Sequence, residues 1–138
     1  MRLWHKELID VLPRQQLLGQ WRECCCLARN LCETGEYNHI LVNRTGDYHI
    51  GHFFTYSIDY IAAEMKRRGY KVDTNKFWKY FSIGDTYAIP EFHELFDKWH
   101  NERYLKQCLY NLQEKYDCRG IIEEEWNKIT EKYDRFLF

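Results

Sequence analysis

The chain has 138 residues, the usual length of one domain, and it is long enough to bury a core without disulfides or metals. Hydrophobic residues make up 45% and charged residues 30%, which excludes a disordered chain, and no segment approaches the roughly 18 apolar residues of a membrane span. The formal net charge of −1 gives no support on its own to nucleic-acid binding.

The first strong helix is predicted to begin at Leu12-Pro13 and to end near Gly35, because proline suits a first helical turn and glycine a helix end. Eight residues at helical spacing predict its inward face: Leu17, Leu18, Trp21, Cys24, Cys25, Ala28, Leu31 and Cys32. We interpret the six cysteines as thiols, since a reducing compartment is expected.

Residues 36–51 are predicted to form an irregular loop, with Gly46 and Gly51 as helix breakers. A second helix is expected from about His52 to Gly69, where three cations precede the glycine. Its inward residues are predicted to be Phe54, Ile58, Ile61 and Met65.

The second half of the chain predicts three more helices after a loop at 70–90, in which residues 76–81 form the strongest element. Pro90 is expected to start the third helix, with Phe92, Leu95, Phe96 and Trp99 inward. Asn101 is expected to cap the fourth, with Leu105, Cys108, Leu109 and Leu112 inward. Gly120 precedes the last, whose inward residues are Ile121, Ile122, Trp126, Ile129 and Tyr133.

These patterns predict an all-α fold, a compact single-domain helical structure with long loops and about four to five helices over residues 1–138. No convincing alternating strand pattern remains. The first ten residues are charged throughout and lack the apolar centre of a signal peptide, so we expect a cytoplasmic protein without membrane attachment. We expect a monomer.

Charge is distributed unevenly along the chain. Residues 1–32 hold five bases and three acids, and residues 64–80 hold six bases and two acids. A polyanion could therefore bind a face that these two stretches share.

Glu23 lies on a helix face with small and neutral residues, and no base stands three or four positions away. One interpretation is an ordinary solvated glutamate. The other is a carboxylate kept for acid/base work or for stabilising a developing cation. Arg22 and Arg29, on another flank of the helix, suit phosphate binding or simply a solvated face.

The order Leu17-Leu18-Gly19-Gln20-Trp21-Arg22-Glu23, preceded by Gln15-Gln16, resembles the Gln-His-Leu-x-Ala-Glu-Tyr-Arg-Glu stretch of the pyrimidine-dimer DNA glycosylases of the endonuclease V type. The first five residues, Met1-Arg2-Leu3-Trp4-His5, are similar to the first residues of several bacterial members of this family. Further likeness lies in Gly51-His52, in residues 64–70, in Ile89-Pro90 and in residues 112–115.

The resemblance implies a compact helical domain that acts on double-stranded DNA carrying damaged pyrimidines or abasic sites, with no cofactor and no metal. In this family the chain's own α-amine attacks the sugar C1′ and forms an imine, and β-elimination then cuts the strand. Glu23 matches the glutamate that assists at the sugar, and Arg22 the arginine that contacts the DNA backbone. Arg2, Gln15 and Gln16 are the other DNA-binding residues that the resemblance implies.

The resemblance also assigns the nucleophile. Arg2 is too bulky for normal methionine removal, and it aligns with the arginine that follows the family's nucleophilic residue. We therefore expect a retained Met1 whose α-amine attacks. An α-amine has a reference pKa of about 7.7–8.0, so an appreciable fraction is neutral at pH 7.

The sequence departs from the family at two positions: Gln16 replaces a histidine, and Cys26 replaces a base. A non-catalytic module that binds nucleic acid or protein on the same scaffold is the alternative function. A small-molecule enzyme that uses the region of Glu23, Cys26 and His52 is a third. The motif His49-x-x-His52 lacks the second ligand pair of a zinc site.

Two aromatic stretches allow either base stacking or core packing. Residues 76–81 interleave bases with rings, and residues 133–138 form an aromatic tail.

Overall fold

The computed structural model describes residues 1–82 and 92–137, with side chains to residue 134. Two 3₁₀ helices span Lys6–Val11 and Asn43–Asp47. The other helices are α1 (Arg14–Thr34), α2 (residues 50–67), α3 (Asn75–Trp78), α4 (Glu102–Asp117) and α5 (Glu123–Leu137). The described residues contain no strand, and the predicted all-α fold is confirmed. None of these helices is long and apolar enough to cross a membrane.

Helix α1 begins and ends where the sequence predicts. Pro13 is its N-cap, and Gly35 follows its last turn with a φ of 78°, a left-handed conformation that glycine adopts without strain. The backbone N–H of Gly35 donates to the carbonyl of Leu31 at 2.9 Å, which closes the helix end. The 21 residues of α1 therefore form a straight support about 31 Å long.

The buried face of α1 is rotated relative to the prediction. It consists of Leu17, Gln20, Trp21, Cys24, Leu27 and Ala28. The centre of this arc is Cys24, and the arc extends towards Gln20 and Leu27, so Cys32 is exposed and its predicted inward position is wrong. The polar Gln20 therefore lies among buried apolar side chains.

Helix α2 is continuous over residues 50–67 but changes its winding. Ile50–Phe54 is α-helical, Thr55–Ala62 is π-helical and Ala63–Arg67 is α-helical again. It begins two residues before the predicted His52, and Gly69 follows it with a φ of 84°. Of its predicted inward residues, Phe54, Ile61 and Met65 are buried and Ile58 is half-buried.

The C-terminal end of α2 is joined to the segment before α1. Glu64 pairs with Arg67 and Arg68, and the Arg68 guanidinium donates to the carbonyl of Leu12 at 2.8 Å and to that of Ile9 at 3.1 Å. These bonds fix Arg68 to the end of the first 3₁₀ helix, where the carbonyl of Ile9 also accepts the N–H of Leu12.

Residues 92–100 do not form the predicted third helix. They follow a series of turns, and Phe96 adopts a φ of 49°, which interrupts any helix there. The predicted inward residues Leu95, Phe96 and Trp99 are nevertheless buried, and the Phe96 N–H donates to Nδ1 of His52 at 3.1 Å. Packing of these rings thus determines the path of residues 92–100. The predicted start at Pro90 lies outside the described residues.

Helix α4 follows the prediction closely. The Asn101 side chain accepts a hydrogen bond from the Tyr104 N–H at 3.0 Å and caps the helix. All four predicted inward residues are buried: Leu105, Cys108, Leu109 and Leu112.

Helix α5 packs against α4 through the stacked rings of Tyr116 and Trp126, whose centroids lie 4.8 Å apart. Ile121, Trp126, Ile129 and Tyr133 are buried as predicted. Ile122 is 62% exposed, so its predicted inward position is wrong. The helix begins only at Glu123, and the two isoleucines before it point in different directions.

Two buried histidines hold the start of the chain against the segment before α4. The rings of His5 and His100 stack at 5.0 Å, and Nδ1 of His100 accepts the Lys6 N–H at 2.9 Å. Nδ1 of His5 accepts the Glu7 N–H at 3.1 Å. Because each ring accepts at Nδ1, both are neutral in the folded protein. Burial lowers the pKa of both, that of His100 to about 2.

We expect the protein to lose stability as the pH falls below about 6.5, the ordinary pKa of histidine. Below this pH the histidines of the unfolded chain are protonated, whereas the buried rings of His5 and His100 stay neutral in the folded protein. His100 alone removes about 2 kcal/mol between pH 7.5 and pH 5. Urea unfolding at both pH values measures the loss. His100→Gln should reduce it, whereas the same change at the exposed His93 should not. An unchanged pH dependence in the His100 variant would contradict the neutral buried ring.

Candidate active site

Gln20 joins the first residues of the chain to the middle of α1. Its side chain is fully buried, and Nε2 donates to the carbonyl of Arg2 at 2.9 Å and to Oε2 of Glu23 at 3.0 Å. Its Oε1 accepts the N–H of Trp4 at 2.7 Å and lies 2.9 Å from the hydroxyl of Tyr56. One amide therefore contacts both the N-terminal segment, residues 1–5, and the carboxylate of Glu23.

Two buried tyrosines complete the anchor of the N-terminal segment. The Tyr56 hydroxyl, on α2, donates to the carbonyl of Trp4 at 2.6 Å and shares its proton with Gln20. The Tyr104 hydroxyl, on α4, donates to the carbonyl of Leu3 at 2.5 Å. Burial raises the pKa of both phenols, so they stay neutral donors. The segment is thus bonded to three helices.

Glu23 is half-buried on the side of α1 that faces the N-terminal segment. Burial raises the pKa of its carboxyl above the ordinary value. The positive charge of the Met1 α-amine opposes this rise most strongly, ahead of His39 and Arg22. The amine and the carboxylate are therefore close enough to interact electrostatically, with Gln20 beside both.

Arg22 is exposed next to Glu23, on the side of α1 that faces solvent. Gln15 is exposed on the same stripe, eight residues from Glu23 and about 12 Å away along the helix axis. Gly19, Cys26 and Arg29 complete the stripe. The predicted residues Gln15 and Arg22 therefore lie on one surface that borders Glu23.

Arg2 and Gln16 are less exposed than the other predicted DNA-binding residues. The Arg2 guanidinium lies over the Trp4 ring, 5.5 Å from its centroid, and contacts the thiol of Cys108. Gln16 is half-buried, and its Oε1 finds no hydrogen-bond partner among the described residues. Both lie at the edge of the stripe, and contacts within the protein cover part of each side chain.

Helix α3 brings further positive charge to α1. The rings of Trp21 and Phe77 pack with centroids 6.2 Å apart, and Lys76 and Lys79 lie near Cys25. Burial raises the pKa of the Cys25 thiol to about 11, and these two lysines oppose the rise. The basic stretches 1–32 and 64–80 are thus in contact at this point.

Of the two aromatic stretches, residues 76–81 contribute mainly to the core. Phe77 is fully buried against Phe53 and Phe54, while Trp78 and Phe81 are half-buried around it. In the tail, the Tyr133 hydroxyl donates to the carbonyl of Glu7 at 2.6 Å, and the side chains beyond residue 134 lie outside the described part.

The described residues do not bring together a metal-binding group of three or more His, Cys, Asp and Glu side chains. His49 and His52 each use Nδ1 to accept a backbone N–H, from Gly51 and Phe96 respectively. Cavities of about 640, 550 and 500 Å³ are lined by residues other than Glu23, Cys26 and His52. Within residues 1–82 and 92–134, these cavities therefore give the small-molecule hypothesis no support.

Sequence reasoning missed the anchoring role of Gln20, Tyr56 and Tyr104, as well as the position of His39 near Glu23. Helical periodicity placed Gln20 with the small neutral neighbours of Glu23, on the solvated side. The available signal was its position between Leu17 and Cys24, one turn from each, where a polar residue in a buried arc needs hydrogen-bond partners.

Comparison with known proteins adds one finding. A family model described as pyrimidine dimer DNA glycosylase matches residues 1–77. No curated protein and no solved structure matches the chain. The matched range holds Gln20, Tyr56 and every residue that the sequence predicts for the site.

We predict that Gln20→Leu costs about 2 kcal/mol or more of unfolding free energy, because it leaves buried backbone groups of Arg2 and Trp4 without partners. Hydrogen exchange at the Trp4 amide should accelerate with it. Chemical unfolding and exchange measured by NMR test both effects. Gln15→Leu, on the exposed stripe, is the matched control and should change stability by less than about 0.5 kcal/mol. Equal effects of the two variants would exclude the anchor.

Acetylating the Met1 α-amine should raise the pKa of Glu23 further, because the acetyl group removes the positive charge that opposes the effect of burial. Carbon-detected NMR titration of the glutamates measures this directly. Glu64 is the internal control: burial tends to raise its pKa, but hydrogen bonds from Arg67 and Arg68 outweigh burial and lower it. Acetylation should leave Glu64 unchanged. A Glu23 titration unaffected by acetylation would mean that the amine is remote.

Proposed function

The chain belongs to the pyrimidine dimer DNA glycosylase family, and on that premise we propose that it removes damaged pyrimidines from double-stranded DNA and cuts the strand at the abasic site. The α-amine of Met1 is the nucleophile, and Glu23 is the assisting carboxyl. The observation that carries the proposal is that the Gln20 amide bonds both the carbonyl of Arg2, next to the amine-bearing Met1, and the carboxylate of Glu23.

The chemistry proceeds through an imine. The amine nitrogen attacks C1′ of the damaged nucleotide, the glycosidic bond breaks, and the base leaves with one proton of the amine. Opening of the sugar ring breaks the C1′–O4′ bond, Glu23 gives its proton to O4′, and the nitrogen keeps its second proton as an iminium. Loss of a proton from C2′ then expels the 3′ phosphate oxygen from C3′, and water hydrolyses the imine to regenerate the amine.

Glu23 suits both proton transfers because burial moves its pKa closer to neutral pH. The protonated carboxyl can supply the proton to O4′ on ring opening. The carboxylate can accept the proton from C2′ and stabilise the positive charge that develops on the sugar and on the iminium nitrogen. A fully solvated glutamate at its ordinary pKa would perform the first step poorly.

Gln20 acts as a positioning residue in this proposal. Its amide bonds the carbonyl of Arg2 and the carboxylate of Glu23 at the same time, so it fixes the distance between the segment that bears the amine and the carboxyl. Positioned groups gain rate because they do not have to search for the reactive geometry.

DNA binding is proposed to use the exposed stripe of α1 together with α3. Arg22, Arg29, Lys76 and Lys79 supply charge for backbone phosphates, and Gln15 supplies a neutral hydrogen-bonding group. Arg2 and Gln16 contribute at the edge of the stripe, nearest the sugar. The proposed interface is basic although the chain has a net charge of −1.

We also infer that residues 1–138 work as one domain, although the family match ends at residue 77. Tyr104 and Tyr133 donate hydrogen bonds to the carbonyls of Leu3 and Glu7. Glu125 accepts the N–H of Arg14 at the start of α1. The C-terminal helices thus support the segment that bears the proposed nucleophile.

Borohydride trapping on a duplex oligonucleotide with one abasic site tests the function. We expect a covalent adduct from the free chain and none after N-terminal acetylation, because an acetylated nitrogen cannot form the imine. Glu23→Gln should slow strand cleavage by about a hundredfold or more without loss of helical content. Glu124→Gln, at an exposed position on α5, is the matched control and should cut at the parent rate.

Mass spectrometry of the adduct identifies the residue that is attached. An adduct that persists after acetylation would overturn the α-amine as nucleophile. Absence of an adduct with abasic and with dimer-containing DNA, together with salt-sensitive binding, would replace the enzyme with a non-catalytic binding module.

A further inference from the structure

Two aliphatic side chains stand in solvent at the tip of the turn that follows α1. Ile40 is 88% exposed and Leu41 is 53% exposed. They occupy the two central positions of a β-turn closed by the Val42 N–H, which donates to the carbonyl of His39 at 3.0 Å. Single exposed aliphatics are common on protein surfaces, but an adjacent pair at a convex tip is not explained by packing.

The turn is held firmly on both sides. Before it, Tyr37 is buried, and the Asn30 side chain donates to its carbonyl at 2.9 Å. After it, Val42 is fully buried, and the Thr45 hydroxyl donates to its carbonyl at 2.6 Å. Exposure of the tip is therefore fixed by the structure around it, and little conformational entropy would be lost if it inserted into another molecule.

Hydrogen bonds within the turn add to this support. Asn43 accepts the His39 N–H through its side chain at 3.1 Å, which braces the base of the turn. Asn38 adopts a φ of 64°, a left-handed conformation that asparagine tolerates, and its amide donates to the Thr34 hydroxyl at 2.9 Å. The left-handed residue and this bond hold the chain in position just before the tip.

The turn follows the face of α1 that carries Glu23, because Asn30, two turns from Glu23 on that face, donates to the carbonyl of Tyr37 just before the turn. His39, which begins the turn, is near enough to Glu23 to lower the pKa of that carboxyl against the effect of burial. Arg44 is exposed just after the tip. An apolar tip with His39 and Arg44 next to it in the chain, close to the proposed carboxyl Glu23, suits a DNA base step, in which apolar bases lie between phosphates.

We propose that Ile40 and Leu41 form a wedge that inserts between base pairs beside the damaged nucleotide. This inference rests on the proposed function, since it names how that site reaches its substrate. Within a duplex the stacked bases shield C1′ of the target nucleotide, and enzymes that act there must open the stack. Aliphatic side chains can occupy the opened step and hold the duplex kinked.

The test compares the double variant Ile40→Ser/Leu41→Ser with the parent on an abasic site in duplex and in single-stranded DNA. A wedge matters only where a base stack must be opened. Cleavage of the duplex should therefore fall at least about tenfold, equivalent to about 1.4 kcal/mol in activation free energy, while cleavage of the single strand stays the same. Ile122→Ser removes an equally exposed aliphatic side chain between α4 and α5 and should match the parent on both substrates.

A second measurement separates the wedge from the chemistry. The fluorescence of 2-aminopurine placed next to the abasic site increases when the base unstacks, and this needs binding but no cleavage. The parent should raise the signal, and the double variant should not. Equal signals from the two proteins, or equal losses of cleavage on duplex and single strand, would overturn the wedge. A parent that unstacks the base but forms no adduct would retain the wedge and overturn the lyase.

Discussion

One buried amide, that of Gln20, holds the start of the chain against the middle of α1, and the geometry of the candidate site depends on it. A free terminus is normally the most mobile part of a domain. Here the backbone polar groups of Arg2, Leu3 and Trp4 are bonded to side chains from α1, α2 and α4. Breaking these bonds would leave buried donors and acceptors unpaired, so the structure opposes fraying where catalysis would need order.

The same anchor sets the electrostatics of the site. Burial of Glu23 raises the pKa of its carboxyl, and the N-terminal segment delivers the positive charge that limits this rise. Within the segment, the ring of His5 stays neutral against the ring of His100 because both are buried. Arg22 on α1, and Lys76 and Lys79 near it, are exposed to solvent. A chain of slightly negative net charge thus presents a locally basic surface beside a protected carboxyl.

Local signals in the sequence were enough to predict much of the fold. The limits of α1 follow from Pro13 and Gly35, and the start of α4 follows from the Asn101 cap. Residues 92–100 were predicted to be helical because their apolar spacing fits a helix, yet contacts of Phe96 with His52 and Trp99 decide their path. Ile122 was predicted to be buried because periodicity does not show which of two adjacent isoleucines precedes the first turn.

The sequence offered candidate residues for the site but not the way in which they are assembled. Glu23 and Met1 could be named from a resemblance, but their proximity depends on bonds from Gln20 to residues 16 and 18 positions earlier. The exposed turn at Ile40 could not be predicted from the sequence, for a simpler reason. A short apolar pair in a loop has no period, and its exposure depends on the burial of Tyr37 and Val42 on either side.

The contacts from α4 and α5 to the N-terminal segment have a consequence for protein synthesis. The carbonyl of Leu3 accepts its hydrogen bond from Tyr104, 101 residues later in the chain, and the carbonyl of Glu7 accepts one from Tyr133, 126 residues later. On the ribosome the N-terminal segment is made before these partners, and it stays without them until α4 and α5 have left the exit tunnel. Contacts between such distant residues also form slowly. The segment that carries the proposed nucleophile is therefore made before the helices that hold it, and it is among the last parts of the chain to be fixed in place.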